Sequence, residues 1–272
     1  MLNDHIVSKI LADVRQQQPL IHCITNPISI HQCANVILAV GGRPMMAEHP
    51  QEVAEITQTA RSLMLNLGNI TDARMQSIRI SAETAVKTHI PILLDAVGVA
   101  CSRLRRNYIQ ELLSVLTPTV IKGNYSEVYA LYQDTYCCSG VDADASLDIQ
   151  MIDRCAVALA REKNMILLAS GKVDVLTDGK RLVHIHNGTP QLSAVTGTGC
   201  MQGALCATYL SADRSIDGVI TACAMLGISG EKSQTPRGSG TFFVNLMDSL
   251  STLNAEDICA NINQEEIIIE SI

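Results

Sequence analysis

The chain has 272 residues, 47% apolar and 17% charged, which supplies a full core for one domain and excludes a disordered chain. Twenty Lys and Arg against 27 Asp and Glu give a formal charge of −7, the wrong sign for neutralising nucleic-acid phosphates over a broad surface, and the absence of Trp leaves few platforms for stacked bases. Ten cysteines are too dilute for a secreted disulfide scaffold, and no two are spaced as Cys-x-x-Cys for structural zinc, so the composition points to a reducing cytosol.

At the start, Met1-Leu2-Asn3-Asp4-His5-Ile6 has no basic stretch leading into an apolar run, and no window approaches the ~18 uninterrupted apolar residues of a membrane span, so neither export nor a membrane partner is expected. Helices are predicted over about 4–18 and 29–39, with Pro19-Leu20-Ile21 between them leading into His22-Cys23-Ile24-Thr25-Asn26. Short β-branched or leucine-rich runs at 62–66, 90–95, 119–122 and 165–169 read as buried strands, each running out at a polar residue or Gly. Between them, Met75, Ile78, Ala82, Ala85 and Val86 fall on one helical face after a cap at Thr71, and Leu112, Leu113 and Leu116 do the same before Pro118. Residues 173–185 read as a hairpin with Asp178-Gly179 as a two-residue turn, which gives the sheet an antiparallel edge. From Gly199 to about Leu253 three helices follow in succession. Beyond about 254 the structure is left open, the tail from about Asn261 being either a docked strand or a frayed end. With no repeat and no linker, the chain reads as one α/β domain over 1–272, built of strand-helix units around a mainly parallel sheet.

In such a sheet ligands bind beyond the carboxyl ends of the strands, so polar residues there carry the functional question. Val195-Thr196-Gly197-Thr198-Gly199-Cys200 runs directly into a helix. It reads either as an anion cradle of backbone N–H groups at a helix N-terminus or as an ordinary glycine-rich turn, and it lacks the spacings of a Walker A loop and of a dinucleotide fingerprint. Cys200 in the first helical turn has a dipole reason for a lowered thiol pKa, whereas the other nine cysteines read as small buried thiols. Asp95 closes an apolar strand, as a metal-water holder or a strand-end turn. Asn124 and Glu127, after Lys122-Gly123, form either a functional face or an N-cap with its capping-box Glu. His22 and Cys23 are adjacent on a strand, where side chains point to opposite faces, so they are not a nucleophile and its base. Met45 and Met46, after Gly41-Gly42-Arg43-Pro44, are core filling or the adaptable wall of an apolar pocket.

Taken in order, His22-Cys23-Ile24-Thr25-Asn26, Pro44-Met45-Met46-Ala47, Leu65-Asn66-Leu67-Gly68, Leu94-Asp95-Ala96-Val97-Gly98-Val99, Gly123-Asn124-Tyr125-Ser126-Glu127, Thr196-Gly197-Thr198-Gly199-Cys200 and Gly238-Ser239-Gly240-Thr241-Phe242 resemble the hydroxyethylthiazole kinases of the ribokinase-like superfamily, over about residues 10 to 253. The resemblance implies a three-layer ribokinase-like fold with helices on both faces of the sheet, and ATP-dependent phosphorylation of 4-methyl-5-(2-hydroxyethyl)thiazole in thiamine salvage. It implies that Met46, Asn26, Ile28, Gly68 and Gly197 surround the thiazole, and that Lys122, Ser170 and Asn124 contact ATP. It further implies that Asp95 and Glu127 organise Mg²⁺, and that Cys200 stands where related sugar kinases carry an aspartate base, beside the amides of Gly197, Thr198 and Gly199. It also implies a homotrimer with thiazole sites between subunits, in the cytoplasm to which the cysteine usage already points. Ala96, Lys122, Ser170 and Ala100-Cys101 depart from the family's usual residues, and Lys122 in place of arginine loses a planar fork for phosphate, so weaker ATP binding is expected. A kinase of a hydroxymethylpyrimidine or pyridoxal type of alcohol, or a non-catalytic thiazole- or nucleotide-binding protein, are the competing readings.

Overall fold

In this computed structural model, residues 2–133 and 147–269 are described; Cys137 and Cys138 lie outside them. In chain order the elements are α1 (Asp4–Gln17), β1 (Leu20–Ile24), α2 (Ile30–Ala39), β2 (Arg43–Met45), α3 (Val53–Thr59), β3 (Ser62–Asn66), α4 (Asp72–Lys87), β4 (Ile92–Asp95), α5 (Arg103–Val115), β5 (Val120–Asn124), α6 (Tyr125–Tyr132) and α7 (Ile149–Lys163). They continue with β6 (Ile166–Ser170), β7 (Asp174–Thr177), β8 (Leu182–Ile185), α8 (Pro190–Ser193), α9 (Thr198–Leu210), α10 (Ile216–Lys232), α11 (Ser239–Thr252), α12 (Ala255–Asn261) and β9 (Gln264–Ile267).

Among the described residues nine strands form one sheet in the order β2-β1-β3-β4-β5-β6-β7-β8-β9. Pairing is parallel from β2 through β6 and antiparallel from β6 through β9. The central strands are buried on both faces, and their period of two splits the core in two. Met64, Leu93, Val120 and Leu168 face one core, with Val36 of α2, Ala204 of α9, Val219 of α10 and Leu246 of α11. Leu63, Leu65, Leu94 and Ile121 face the other, with Ile78 of α4, Ile109 of α5 and Ala156 of α7. This is the expected three-layer arrangement, with helices on both faces.

The expected strands and helices form within a residue or two, and the Thr71 hydroxyl caps α4 by accepting from Arg74 N. Three expectations change, and one left open is decided. Val86 is exposed, because the buried stripe of α4 turns through Ile78, Ala82 and Ala85 and leaves it behind. The hairpin turn spans 178–181, since Thr177 pairs with Leu182; Asp178 Oδ1 accepts from the amides of Lys180 and Arg181, and the Thr177 hydroxyl donates to Arg181 O, closing a four-residue loop. An additional short strand, β2, carries Pro44, tolerated because β2 is the outer edge of the sheet. The tail is a docked strand: β9 pairs with β8 and forms the other edge.

Candidate active site

The register puts Asn66, Asp95 and Lys122 side by side across β3, β4 and β5. Each stands two residues beyond a residue of the first core, Met64, Leu93 or Val120, so all three belong to the sheet face covered by α9. Helix α9 lies close on this row because Gly203 has no side chain: a Cβ there would meet Met64 Cε at 2.8 Å and Asp95 Oδ2 at 3.5 Å. Asn26, just past the end of β1, joins from the loop before α2.

These residues form a chain of hydrogen bonds ending on the start of α9. Lys122 Nζ donates to Asp95 Oδ2 at 3.3 Å, and Asn66 Nδ2 donates to the same oxygen at 3.2 Å. Asn66 Nδ2 also lies 3.4 Å from Cys200 Sγ, while Asn26 Nδ2 donates to Asn66 Oδ1 and Cys200 Sγ, each at 3.2 Å. Gly68 N donates to Asn66 Oδ1 at 2.8 Å, which fixes that side chain. Asp95 Oδ1, in contrast, is buried with no partner.

Burial raises the Asp95 carboxyl pKa, against the pull of Lys122 and Asn66. Burial opposes the charge on Lys122, but Asp95 beside it outweighs that and its proton is held more tightly. The Cys200 thiol is pushed up, by burial and by the Asp95 charge. This corrects the expectation of a lowered pKa: desolvation and a neighbouring carboxylate exceed what a helix end supplies, and Cys200 is a protonated thiol in the ligand-free protein.

Gly197 precedes α9 with φ +92°, a left-handed conformation that glycine adopts without strain, and no side chain caps the helix. The first helical bond runs from Met201 N to Gly197 O at 2.8 Å. The amides of Thr198, Gly199 and Cys200 therefore have no acceptor inside α9, as an anion cradle requires. Gly199 sits at its centre, where a Cβ would be 3.9 Å from Lys122 Nζ. The Thr198 hydroxyl is taken up by Leu192 O at 2.9 Å.

Asn124 and Glu127 make a complete capping box on α6. Glu127 Oε2 accepts from Asn124 N at 2.7 Å and Oε1 from Gly98 N at 2.6 Å. Burial and then the Asp95 charge nevertheless push its pKa up to about 7. Ser170, in register with Asn124, donates to Gly123 O at 3.3 Å. Met46 packs against the first core, and Ile28 stands exposed on the loop before α2, away from the cluster's hydrogen bonds. The donor set fits a hard divalent cation at Asp95, whose Oδ1 is free; Glu127 has already committed a lone pair of each oxygen to amides.

Sequence reasoning gave no role to Asn66 or to the pair Asp174 and Gln202, and it left His22 without one. Asn66 carried the same signal as Asp95, a polar residue closing a buried strand. Asp174 accepts from Gln202 Nε2 at 2.6 Å behind the cradle, and burial pushes it up to about 6; nothing local marks this pair. His22 ties the Met46 segment to the sheet: Nε2 donates to Ala47 O and Nδ1 meets the Thr57 hydroxyl, each at 2.9 Å, with burial lowering its pKa. Cys23 faces the first core, so His22 and Cys23 indeed work apart. A cleft of about 400 Å³ lined by His5, Lys9, Asp13, Asp213 and Arg214 lies at the opposite end of α9 from Cys200 and takes no part in this geometry.

A model of the hydroxyethylthiazole kinase family matches residues 11–256. The chain is 43% identical to hydroxyethylthiazole kinase 2 of Clostridium botulinum (strain Hall), over 93% of this chain and 98% of that one. It is 38% identical to the hydroxyethylthiazole kinase of Finegoldia magna, over 96% and 97%. The fold superimposes on a hydroxyethylthiazole kinase structure from Pyrococcus horikoshii OT3 with a TM-score of 0.88 at 30% identity, covering 97% of this chain and all of that one. A pyridoxal kinase of Bacillus subtilis, seen as an ADP complex, shares the fold at a TM-score of 0.61 and 16% identity, over 82% and 95%. With its strand-end polar row and glycine-led helix start in place, the chain belongs to the hydroxyethylthiazole kinase family.

Proposed function

We propose that this chain transfers the terminal phosphoryl group of ATP to the hydroxyl of 4-methyl-5-(2-hydroxyethyl)thiazole, a step of thiamine salvage. The observation that carries the reading is the convergence of Lys122, Asp95, Asn66 and Cys200 on the uncapped amides of α9. In phosphoryl transfer through a loose transition state, catalysis is mostly alignment and charge neutralisation. The amides of Thr198, Gly199 and Cys200 face the charge that builds on the moving phosphoryl, and Lys122, fixed against Asp95, adds a full positive charge beside Gly199. Lys122, Asn124 and Ser170 give ATP its contacts at the carboxyl edge of β5 and β6. Cys200, a thiol held by Asn26 and Asn66, orients the attacking hydroxyl, whose proton leaves late in the reaction.

Asp95 and Glu127 would hold Mg²⁺, which would supply positive charge to offset that of the phosphates. Met46, Asn26, Ile28, Gly68 and Gly197 supply the thiazole pocket. We place the thiazole sites between subunits of a homotrimer, a reading supported by the apolar side chains left exposed near edge strand β2: Ile28, Leu38 and Met45, with Val244 on α11, which packs on α2. The eight free cysteines among the described residues suit the cytosol, where we place the protein. No described helix is long and apolar enough to cross a membrane.

The test is ADP release by the purified protein with ATP, Mg²⁺ and, in parallel, hydroxyethylthiazole, hydroxymethylpyrimidine and pyridoxal. Turnover on the thiazole far above the other two is the expected result. Preference for either alternative overturns the substrate, and calorimetric binding of thiazole and ATP without ADP release overturns catalysis.

A further inference from the structure

On the far side of the sheet from edge strand β2, a second polar cluster has no part in the reaction above. His184 and His186 stand two apart at the end of β8, and Glu265 of β9 is directly opposite His184 in the antiparallel register. Residues two apart on a strand, and residues directly opposite across a pair, share a face. One ring nitrogen of each histidine and one carboxylate oxygen of Glu265 lie within 4.8 Å of one another. His186 Nε2 is 3.8 Å from Glu265 Oε2, and the two imidazoles meet edge to face, with centroids 6.3 Å apart.

The cluster also has the outer support that imidazole ligands use. His184 is buried, and its Nε2 donates to the buried Asp153 Oδ1 of α7 at 2.8 Å. That bond commits Nε2 to Asp153, leaves Nδ1 as the ring nitrogen available to a metal and fixes the ring plane, as the carboxylate partners of metal-bound histidines do. The backbone is tied down too: His186 N donates to Asn263 O at 2.9 Å, and Asn263 N to Asn187 Oδ1 at 2.7 Å. We propose that His184, His186 and Glu265 form a binding site for a divalent transition-metal ion of the Zn²⁺ class, which fastens β9 to the sheet.

Two imidazoles and one carboxylate suit a borderline ion with a fourth, open position, and they do not suit Mg²⁺ or Ca²⁺, which take oxygen ligands. Bonds of about 2.0–2.1 Å put ligand atoms in a tetrahedral shell roughly 3.4 Å apart. The two exposed side chains, His186 and Glu265, reach that spacing by rotation, while His184 stays in place. The bound ion cross-links β8 to the C-terminal strand, so it acts on the stability of the tail.

The experiment uses the full chain, stripped with a chelator and titrated with Zn²⁺ in a calorimeter, with a parallel melt and a Co²⁺ absorption spectrum. The expected result is one equivalent bound, and a melting temperature raised by about 5 °C at a hundredfold excess over Kd. His186→Asn and Glu265→Gln, both at exposed positions, should each weaken binding at least tenfold and, at the same Zn²⁺ concentration, cut the thermal rise to about half or less while leaving turnover unchanged. Asp153→Asn should weaken binding by about 10–100-fold. The Co²⁺ complex should show ligand-field bands without thiolate charge transfer. No binding, binding unchanged in His186→Asn and Glu265→Gln, or a thiolate charge-transfer band would overturn the site.

Discussion

Asp95 at the end of β4 and Glu127 in the first turn of α6 are both buried carboxylates at the carboxyl edge of the sheet, yet the protein spends them differently. Both oxygens of Glu127 accept from backbone amides, Gly98 N and Asn124 N, so its lone pairs go into the shape of two loops. Asp95 gives one oxygen to Asn66 and Lys122 and keeps the other unpartnered. A buried acceptor without a donor is destabilising by about 1–3 kcal/mol in a folded protein, so it persists where something else makes use of it. On the proposed function, the contrast gives Asp95 to ligand and charge, and Glu127 first to architecture.

Asp95→Asn tests this division with the largest effect. It should lower kcat by about 10²–10³-fold, the scale of removing one preorganised electrostatic group. It also leaves Lys122 buried without its counter-charge, which destabilises by about 3–5 kcal/mol. Adding Lys122→Met should restore most of the stability, read by urea unfolding, and none of the turnover. If the double variant regains activity, neither Asp95 nor Lys122 acts on the reaction and the two form only a buried ion pair. Asn66→Ala removes the donor that links Asp95 and Cys200, and steady-state kinetics should show kcat about tenfold lower with a smaller change in KM, since Asn66 orders the groups that act on the transition state.

Glu127→Gln should reduce turnover by only a few fold, but it should change the pH response. The folded carboxyl titrates near 7, above the ordinary carboxylate value, so the folded state keeps a proton that the unfolded chain has already lost. Stability from this group is therefore full in acid and is lost as pH rises from about 4.3 through 7, by on the order of 3 kcal/mol. Asp174, pushed up to about 6, adds to the loss with the same sign. Urea midpoints of the ligand-free protein should fall across this window, and Glu127→Gln should flatten the upper part of the slope. The concentration of Mg²⁺ giving half-maximal activity should likewise fall as pH passes about 7 in the natural protein and stay level in the variant.

The contrast was half visible in the sequence. A polar residue ending a run of buried aliphatics announced Asp95, and the three-residue interval from Asn124 to Glu127 announced the capping box, because both signals are local. Asn66 has the same local signature but becomes informative only once the register sets it beside Asp95. The raised Cys200 pKa was illegible, since it depends on burial and on a carboxylate more than a hundred residues away. β2 was hidden by Pro44 and by its three-residue length, and only the sheet order shows that it is an edge where proline is tolerated. The docking of β9 was left open because its partner strand lies about eighty residues upstream, and Gln264-Glu265-Glu266 looks like solvent-exposed coil.

Cys200 sharpens the comparison with the smallest effect. Its sulfur sits between the amide nitrogens of Asn26 and Asn66, 3.2 and 3.4 Å away, within the electrostatic reach of both Asp95 and Lys122. A thiol with a raised pKa is a poor proton acceptor, and a loose transition state asks little of a base until late in the reaction. Cys200→Ser, which keeps a small polar acceptor for both asparagines, should therefore change kcat by less than about threefold. Cys200→Asp places a second carboxylate where the same two amides can hold it, with Lys122 to offset repulsion from Asp95. It should retain turnover or raise it by up to about tenfold, since a carboxylate accepts the hydroxyl proton more readily than a thiol in this environment. Rates for the three proteins on hydroxyethylthiazole, with ADP release as the readout, check the order. A collapse to background in Cys200→Asp would mean that the attacking hydroxyl does not approach along the Asn26–Asn66–Cys200 line, and the orienting role would pass to the α9 amides alone.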